Sequence, residues 1–472
     1  MPVGARSAQT DAHITVTPGL TGEFSLVIGR DVHNRFGVAY PLTFQFDIPS
    51  SLVSIGIDRR YDRAAAWSAL PGKTATDGFN GIEAFRVDQV RSRVFVSVPF
   101  SASSDTLFLR FTSGGGPLAG VVYRGMPTYY DGRKAAVTVS ADDWADWFAS
   151  MYPPLLNLFR SYGLYVTGGG ITSGVGASTW GDIQRQLDSG YVEIAAHSRT
   201  HPSMPYPDPV GEVIGCIDDI RSHVTMPSTF RKGDSSYVYV WIAPNGAFNK
   251  GVDTLLRKRN VLVARLYGTG DTGYSAWEPQ RDQFAPMNPT LEIGAPSWGG
   301  GETRLTVLNA AFDSVVARGG VYHFMWHPQT LFPDLAKAYL TGHLQYVSRH
   351  PDLWYANLGH IYLYRLMQLA NAEGVASTPE AAERPATIAL MQNYPNPFNP
   401  ATTISWALPA AADVRVSVYD VLGREVAVLA AERQSAGVHA AAFDGTHLAS
   451  GMYVYRLTAD DQSLSRRLML LK

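Results

Sequence analysis

A single cysteine, Cys216, stands in 472 residues, so no intrachain disulfide can form and no cysteine-rich zinc site can be built. Its setting, VIGCIDDI, offers no group that would activate a thiol, and it reads as a small buried hydrophobe. Charge is also scarce. Only 17% of residues are charged and the formal net charge is −2, which gives no electrostatic ground for binding nucleic acid or an anionic membrane surface. No window approaches the ~20 apolar residues of a membrane span. The opening MPVGARSAQTDA lacks the charged and apolar regions of a leader peptide, although ARSA suits the end of one. What remains is 46% hydrophobic and 11% aromatic, with many Gly, Thr, Ser and Tyr, a composition that favours a β-rich extracytoplasmic protein. The length implies roughly two to four domains.

After a short start over 1–12, residues 13–126 alternate apolar and polar in short runs such as FSLVIG, LTFQFDI, RVFVSVPF and TLFLRF. This predicts an antiparallel β-sandwich, with SASSD as a hairpin between the last two runs. Its role is open between carbohydrate binding and a structural part. From about 127 the rhythm changes. KAAVTVSADD predicts a strand, PPLLNLFRSYG a helix closing at Gly163, and LYVTGGGI a strand. STWGDIQRQLDSG then predicts a helix with a Ser/Thr cap, and YVEIAAHS a further strand. Such alternation predicts βα units around a parallel sheet, whose chemistry gathers at the carboxyl ends of the strands. Residues 371–388 are small, polar and proline-containing, as in a linker. Residues 389–472 predict a small C-terminal β-sandwich.

With a cysteine-rich site excluded, metal ligands must come from His, Asp and Glu. In EIAAHSRTH, His197 and His201 are four apart directly after an apolar strand, a spacing that lets two imidazoles converge on one cation. Asp142 and Asp143 end an earlier strand of the same array. Of two adjacent carboxylates, one can bind a metal while the other accepts a proton. His327, in YHFMWHPQ, follows a third strand-like run and suits a general acid.

VSADDW, EIAAHSRTH, WIAPNG and FMWHP, in this order and at these spacings, resemble the NodB-homology polysaccharide deacetylases (carbohydrate esterase family 4) over about 127–370. The resemblance implies a distorted (β/α) barrel of fewer than eight units. It also implies metal-dependent hydrolysis of N-acetyl or O-acetyl groups on glycans. It makes Asp142 the catalytic base, Asp143, His197 and His201 the ligands of a divalent ion (Zn²⁺, with Co²⁺ or another ion as alternatives), and His327 the general acid. One motif departs. The family carries Arg where WIAPNG has Ile242, an arginine that holds the base in position; Arg265, with Asp271 as its partner, is the candidate replacement. The family's Asp-Trp element is not evident. Trp144, Pro244, Asn245, Trp298 and Trp326 are the candidate substrate contacts, with Tyr322 as a further aromatic.

QNYPNPFNPATTISWALP, VYDVLGREVAVL, SAGVHAAAFDGTHLASGMYVYRL and the final RRLMLLK resemble the type IX secretion sorting domain (type A) over about 389–472. This implies export by a leader that the chain does not contain, passage through the type IX machinery, and release or attachment at the outer surface. The expectation is a secreted metal-dependent deacetylase of an N-acetylated glycan. The alternatives are an acetyl-ester hydrolase on plant glycans, and a glycan-binding surface protein weakened by the Ile242 change.

Overall fold

The computed structural model describes residues 14–471 except 20–21, 37, 39, 50–53, 75–80, 101–103, 114–115, 118–119, 227–236, 295–300, 375–387, 392, 394–395 and 435–436. The chain divides into two compact units, residues 1–375 and 376–472.

The first unit opens with a β-sandwich. One sheet has the order Ile14–Pro18, Glu23–Ile28, Thr106–Ser113, Gly56–Arg60, Ser68–Ala69. The other runs Val122–Gly125, Leu42–Asp47, Arg93–Val98, Ala84–Asp88, Gly72–Lys73. Pairing is antiparallel except for the short Gly72–Lys73 strand. Thr106–Ser113 alternates buried and half-buried residues, as a strand with one face on a core must. The hairpin expected across SASSD does not form: Arg93–Val98 and Thr106–Ser113 lie in different sheets. Period-two alternation shows which face is buried but not which strand is the neighbour.

The sandwich and the barrel region after it share one core cluster, in which Phe36, Tyr40 and Tyr130 join Tyr239, Trp354 and Tyr362. A buried ion cluster marks the junction. Asp131 pairs with Arg86 at 3.2 Å and Arg133 at 2.6 Å, while its N–H donates to Thr43 Oγ1 at 2.7 Å. Burial pushes the Asp131 carboxyl up to about 6 despite both arginines.

The central region carries an eight-stranded parallel sheet. Its strands are β1 (Ala135–Trp144), β2 (Val166–Gly170), β3 (Val192–Ala196), β4 (Val240–Ile242), β5 (Val263–Arg265), β6 (Leu291–Glu292), β7 (Val321–Trp326) and β8 (Leu353–Tyr355). The order is β5-β4-β3-β2-β1-β7-β6, with β8 beside the first residues of β1. Met287 bridges to Arg265 on one side while β6 pairs with β7 on the other, so a single short segment closes a distorted (β/α) barrel. β1 to β3 are buried almost throughout because helices cover the outer face, the reason their sequences read as continuous apolar runs. The helices include α1 (Tyr152–Ser161), α2 (Ala177–Asp188), α3 (Cys216–His223) and α4 (Lys250–Arg257). α1 opens on prolines as expected. The N-cap of α2 is Gly176, just before the expected Ser/Thr, because the Asp146 carboxylate accepts the Gly176 N–H from outside.

The sandwich meets the barrel at the amino-terminal ends of its strands. Tyr239, just before β4, donates its hydroxyl to the Phe36 carbonyl, and Tyr129 donates to Gly319, just before β7, at 2.7 Å. The carboxyl ends point the other way.

The second unit is a smaller β-sandwich. Ala389–Leu390, Ala401–Leu408 and Gly437–Asp444 form one sheet; Glu425–Gln434, Ala412–Tyr419, Gly451–Ala459 and Gln462–Leu470 form the other. The proline-rich approach is pinned to the last strand: the Phe398 N–H donates to Met469 and its carbonyl accepts from Leu471. Among the described residues no helix is long and apolar enough to cross a membrane.

Candidate active site

β1 breaks its pairing with β2 between Ala141 and Trp144, and Asp143 there adopts φ +66°. This bulge turns two consecutive carboxylates toward the mouth of the barrel instead of letting them alternate across the sheet. Ser198 and His201 also sit at positive φ, as does Asn245 after β4. Each such non-glycine residue costs about 1 kcal/mol or more, and these four lie at the carboxyl ends of β1, β3 and β4.

His197 and His201 lie on a turn after β3 rather than on a helix, and the turn is fastened from below. The His201 N–H donates to Ser198 Oγ at 2.9 Å, and Arg199 grips Asp219 with contacts of 2.8 and 2.6 Å. Thr200 donates through its N–H and hydroxyl to Glu212 at 2.9 and 2.6 Å. Space for the His197 ring comes from the Gly168–Gly170 run of β2. A Cβ at Gly169 would lie 3.1 Å from His197 Cβ and from Ile242 Cδ1, and one at Gly168 would strike Trp144 at 2.7 Å.

His197 is buried, and its Nδ1–H donates to the Ile242 carbonyl at 2.8 Å. That bond fixes the tautomer and leaves a lone pair on Nε2. Nε2 is buried without a hydrogen bond, 3.3 Å from Asp143 Oδ1; His201 Nε2 lies 3.6 Å from the same oxygen. One donor atom from each of Asp143, His197 and His201 falls within a 4.8 Å cluster, a set that fits a divalent cation. Gln329 donates to the other oxygen of Asp143 at 3.1 Å. Burial works against the Asp143 charge, but His197 and His327 outweigh it and hold the carboxyl well below the usual range. Burial, and then His197, push the His201 ring down. Both shifts favour the forms that ligate metals.

Asp142 is buried beside this cluster. Arg265, wholly buried at the end of β5, pairs with its Oδ1, and the Tyr152 hydroxyl donates to its backbone carbonyl. Asp142 Oδ2 faces His327 Nε2 at 3.6 Å and His197 Nε2 at 4.0 Å. The His327 Nδ1–H donates to Glu292 Oε1 at 2.8 Å, and the Tyr267 hydroxyl donates to Glu292 Oε2 at 3.1 Å. The Tyr267 ring also stands edge-on to His327.

Asp142, Asp143, His197, His201, His327 and Arg265 are therefore together. Asp271 is elsewhere: its carboxylate accepts the Asn288 N–H at 2.7 Å, and the partner of Arg265 is Asp142 itself. Asn245 is exposed on the turn after β4, whereas Pro244 is buried. Trp144 and Trp326 are core residues and present no face to a substrate. Trp144 stacks on Tyr152 at 4.5 Å, and Trp326 packs on Phe159 and Tyr152. Both turn toward α1, which covers the sheet there. Tyr322 is buried with its hydroxyl against His343. Trp298 lies outside the described residues. Sequence reasoning does not reach Glu292, Tyr267 and Gln329; a carboxylate within TLEIG is the only sequence cue for the first.

Residues 392–471, which make up most of the second unit, match the family described as the secretion system C-terminal sorting domain. Among curated proteins no sequence matches the chain. Among solved structures, a putative polysaccharide deacetylase from Mycobacterium smegmatis is similar at 16% identity and TM-score 0.37, over 51% of this chain and 94% of that one. A probable polysaccharide deacetylase from Pseudomonas aeruginosa PAO1 gives 15% and 0.37, over 49% and 91%. A CE4 esterase from Streptococcus mutans gives 16% and 0.31, over 45% and 82%. All three scores lie below 0.5, so the chemistry of the site is taken from its own geometry.

Proposed function

We propose that the protein is an exported, metal-dependent deacetylase that hydrolyses N-acetyl groups of a glycan. The observation that carries this is the single cluster formed by Asp142, paired with Arg265 and facing His327, beside the donor set Asp143, His197 and His201. A divalent ion held by that set, Zn²⁺ in our assignment, would act as a Lewis acid toward the acetyl oxygen and lower the pKa of water beside it.

The side chains divide the remaining work. Arg265 holds Asp142 Oδ1, leaving Oδ2 to take a proton from water as the water oxygen bonds to the acetyl carbon. His327, its Nδ1–H held by Glu292, carries a proton on Nε2 to the nitrogen as the C–N bond breaks, giving acetate and a free amine. An amine leaves poorly without that proton, whereas an alkoxide leaves more readily; a built acid therefore favours an amide substrate over an acetyl ester. The buried Arg265–Asp142 pair supplies the charge that Ile242 lacks, which counts against a barrel reduced to glycan binding.

The sorting domain supports passage through the type IX machinery and release or attachment at the cell surface, where the substrate would be an acetylated polysaccharide. The test is acetate release by the Zn²⁺-loaded protein from N-acetylglucosamine oligomers, peptidoglycan and acetylated xylan. Release from the first two supports N-deacetylation. Release from xylan alone shifts the assignment to ester hydrolysis, and release from none of them contradicts it.

A further inference from the structure

Among the described residues Trp147 is the only tryptophan with most of its surface in solvent, at 56%. Burial of an indole is worth a great deal, so a large ring left in water at the mouth of a barrel calls for an explanation. The ring is not loose. It rests on Gly174, where a Cβ would come within 2.3 Å of its Cζ3 and Cη2 atoms, so only glycine leaves room for it. Both supporting segments are tied down. Asp146 Oδ1 accepts the Gly176 N–H at 2.9 Å, and Ser173 donates through its N–H and hydroxyl to the Arg199 carbonyl at 3.0 and 2.6 Å. Arg199 belongs to the turn that carries His197 and His201. The indole thus stands four residues beyond Asp143, and the loop beneath it, which carries Ser173 and Gly174, is hydrogen-bonded to the histidine turn.

We infer that Trp147 is a stacking platform for a pyranose unit flanking the one whose acetyl group enters the active site, a role that rests on the acetylated-glycan assignment. A β-linked N-acetylglucosamine ring carries equatorial substituents and so presents a flat face of C–H groups. An indole held along one edge and open to water matches that face, and its fixed position removes the ordering cost that a mobile aromatic would add on binding. The platform lies beyond the reacting atoms and selects for polymer over monomer.

The test uses the full chain loaded with Zn²⁺, in an Asp142→Asn background that stops turnover, titrated with the β-1,4-linked N-acetylglucosamine dimer and hexamer by calorimetry. Trp147→Ala should weaken hexamer binding about tenfold, equivalent to ~1.4 kcal/mol, with a smaller effect on the dimer. Trp147→Phe should recover most of the loss. Gly174→Ala, which must displace the ring, should weaken hexamer binding in the same direction. With Asp142 intact, the Trp147→Ala defect should fall on KM rather than kcat and grow with chain length. Equal hexamer affinity in Trp147→Ala and its parent, or no hexamer binding by the parent, overturns the platform. Hexamer binding that is lost in Trp147→Ala, in a protein that releases no acetate, leaves the platform standing and removes the deacetylase assignment. Acetate release that Trp147→Ala leaves untouched does the reverse.

Discussion

Arg265 and Ile242 are paired in register on adjacent strands, and from its place on β5 the Arg265 guanidinium reaches the Asp142 carboxylate. Residues paired in register on neighbouring parallel strands project to the same face. An arginine 23 positions after Ile242, one strand to the side, therefore reaches Asp142 from the face that Ile242 shares. Breaking a buried pair from one side leaves an uncompensated charge and costs ~3–5 kcal/mol. Arg265→Ala should lower stability by that order in urea titrations and reduce turnover at least ~100-fold. Arg265→Lys should recover little, because a point charge cannot reproduce the guanidinium contacts to Asp142 and to the Leu266 carbonyl.

In the proposed chemistry His327 is the group that must be protonated. Burial works against its charge, but Asp142 and the hydrogen-bonded Glu292 outweigh that and raise its pKa. Because the folded value lies above the unfolded one, its charge contributes stability in full below ~6.5, and that contribution is lost as pH rises through the folded value. The proton is available for catalysis over the same extended range. The alkaline limb of kcat/KM should therefore lie above the ordinary histidine range, and Glu292→Gln should move it to lower pH. A limb that stays in place would assign it to another group.

Metal binding should be visible without any substrate. An ion that binds only the folded state stabilises it by ~2.7 kcal/mol at a hundredfold excess over Kd. Added Zn²⁺ should raise the melting temperature of the first unit and a chelator should reverse the rise. His197→Ala, which removes the buried Nε2, should abolish the response. An equal shift in that variant would place the ion elsewhere.

The N-terminal sandwich is built into the core of the barrel. Phe36, Tyr40 and Tyr130 share one cluster with Trp354 and Tyr362, and Asp131 is buried between Arg86 and Arg133. Removal of residues 14–126 should leave that surface exposed and yield an aggregated or molten chain. Residues 14–374 should unfold in urea as one transition. Two separated transitions, or a well-folded barrel after truncation, would show that the sandwich is dispensable.

The alternation of strands and helices after 127 is legible because the parallel strands are covered on both faces and α1 and α2 begin on proline and glycine. The polar residues at strand ends are legible for a related reason: an Asp-Asp or His pair directly after an apolar run has nowhere to go but the mouth of the barrel. Glu292 is hidden because β6 is two residues long and has no period to read. Trp144 and Trp326 mislead because closeness to a motif in sequence says nothing of which way a strand residue turns; three positions past Trp144, beyond the strand, Trp147 turns outward. The hairpin over SASSD fails because alternation identifies a buried face and leaves the pairing partner open.

The central claim is a division of labour between adjacent carboxylates, Asp143 for the ion and Asp142 for the proton. The most direct measurement pairs Zn²⁺ calorimetry with acetate release from N-acetylglucosamine oligomers, on the wild type, Asp142→Asn and Asp143→Asn. Asp142→Asn should bind the ion as the wild type does and release almost no acetate, while Asp143→Asn should lose both. Wild-type turnover in Asp142→Asn, or undiminished ion binding in Asp143→Asn, would contradict the assignment.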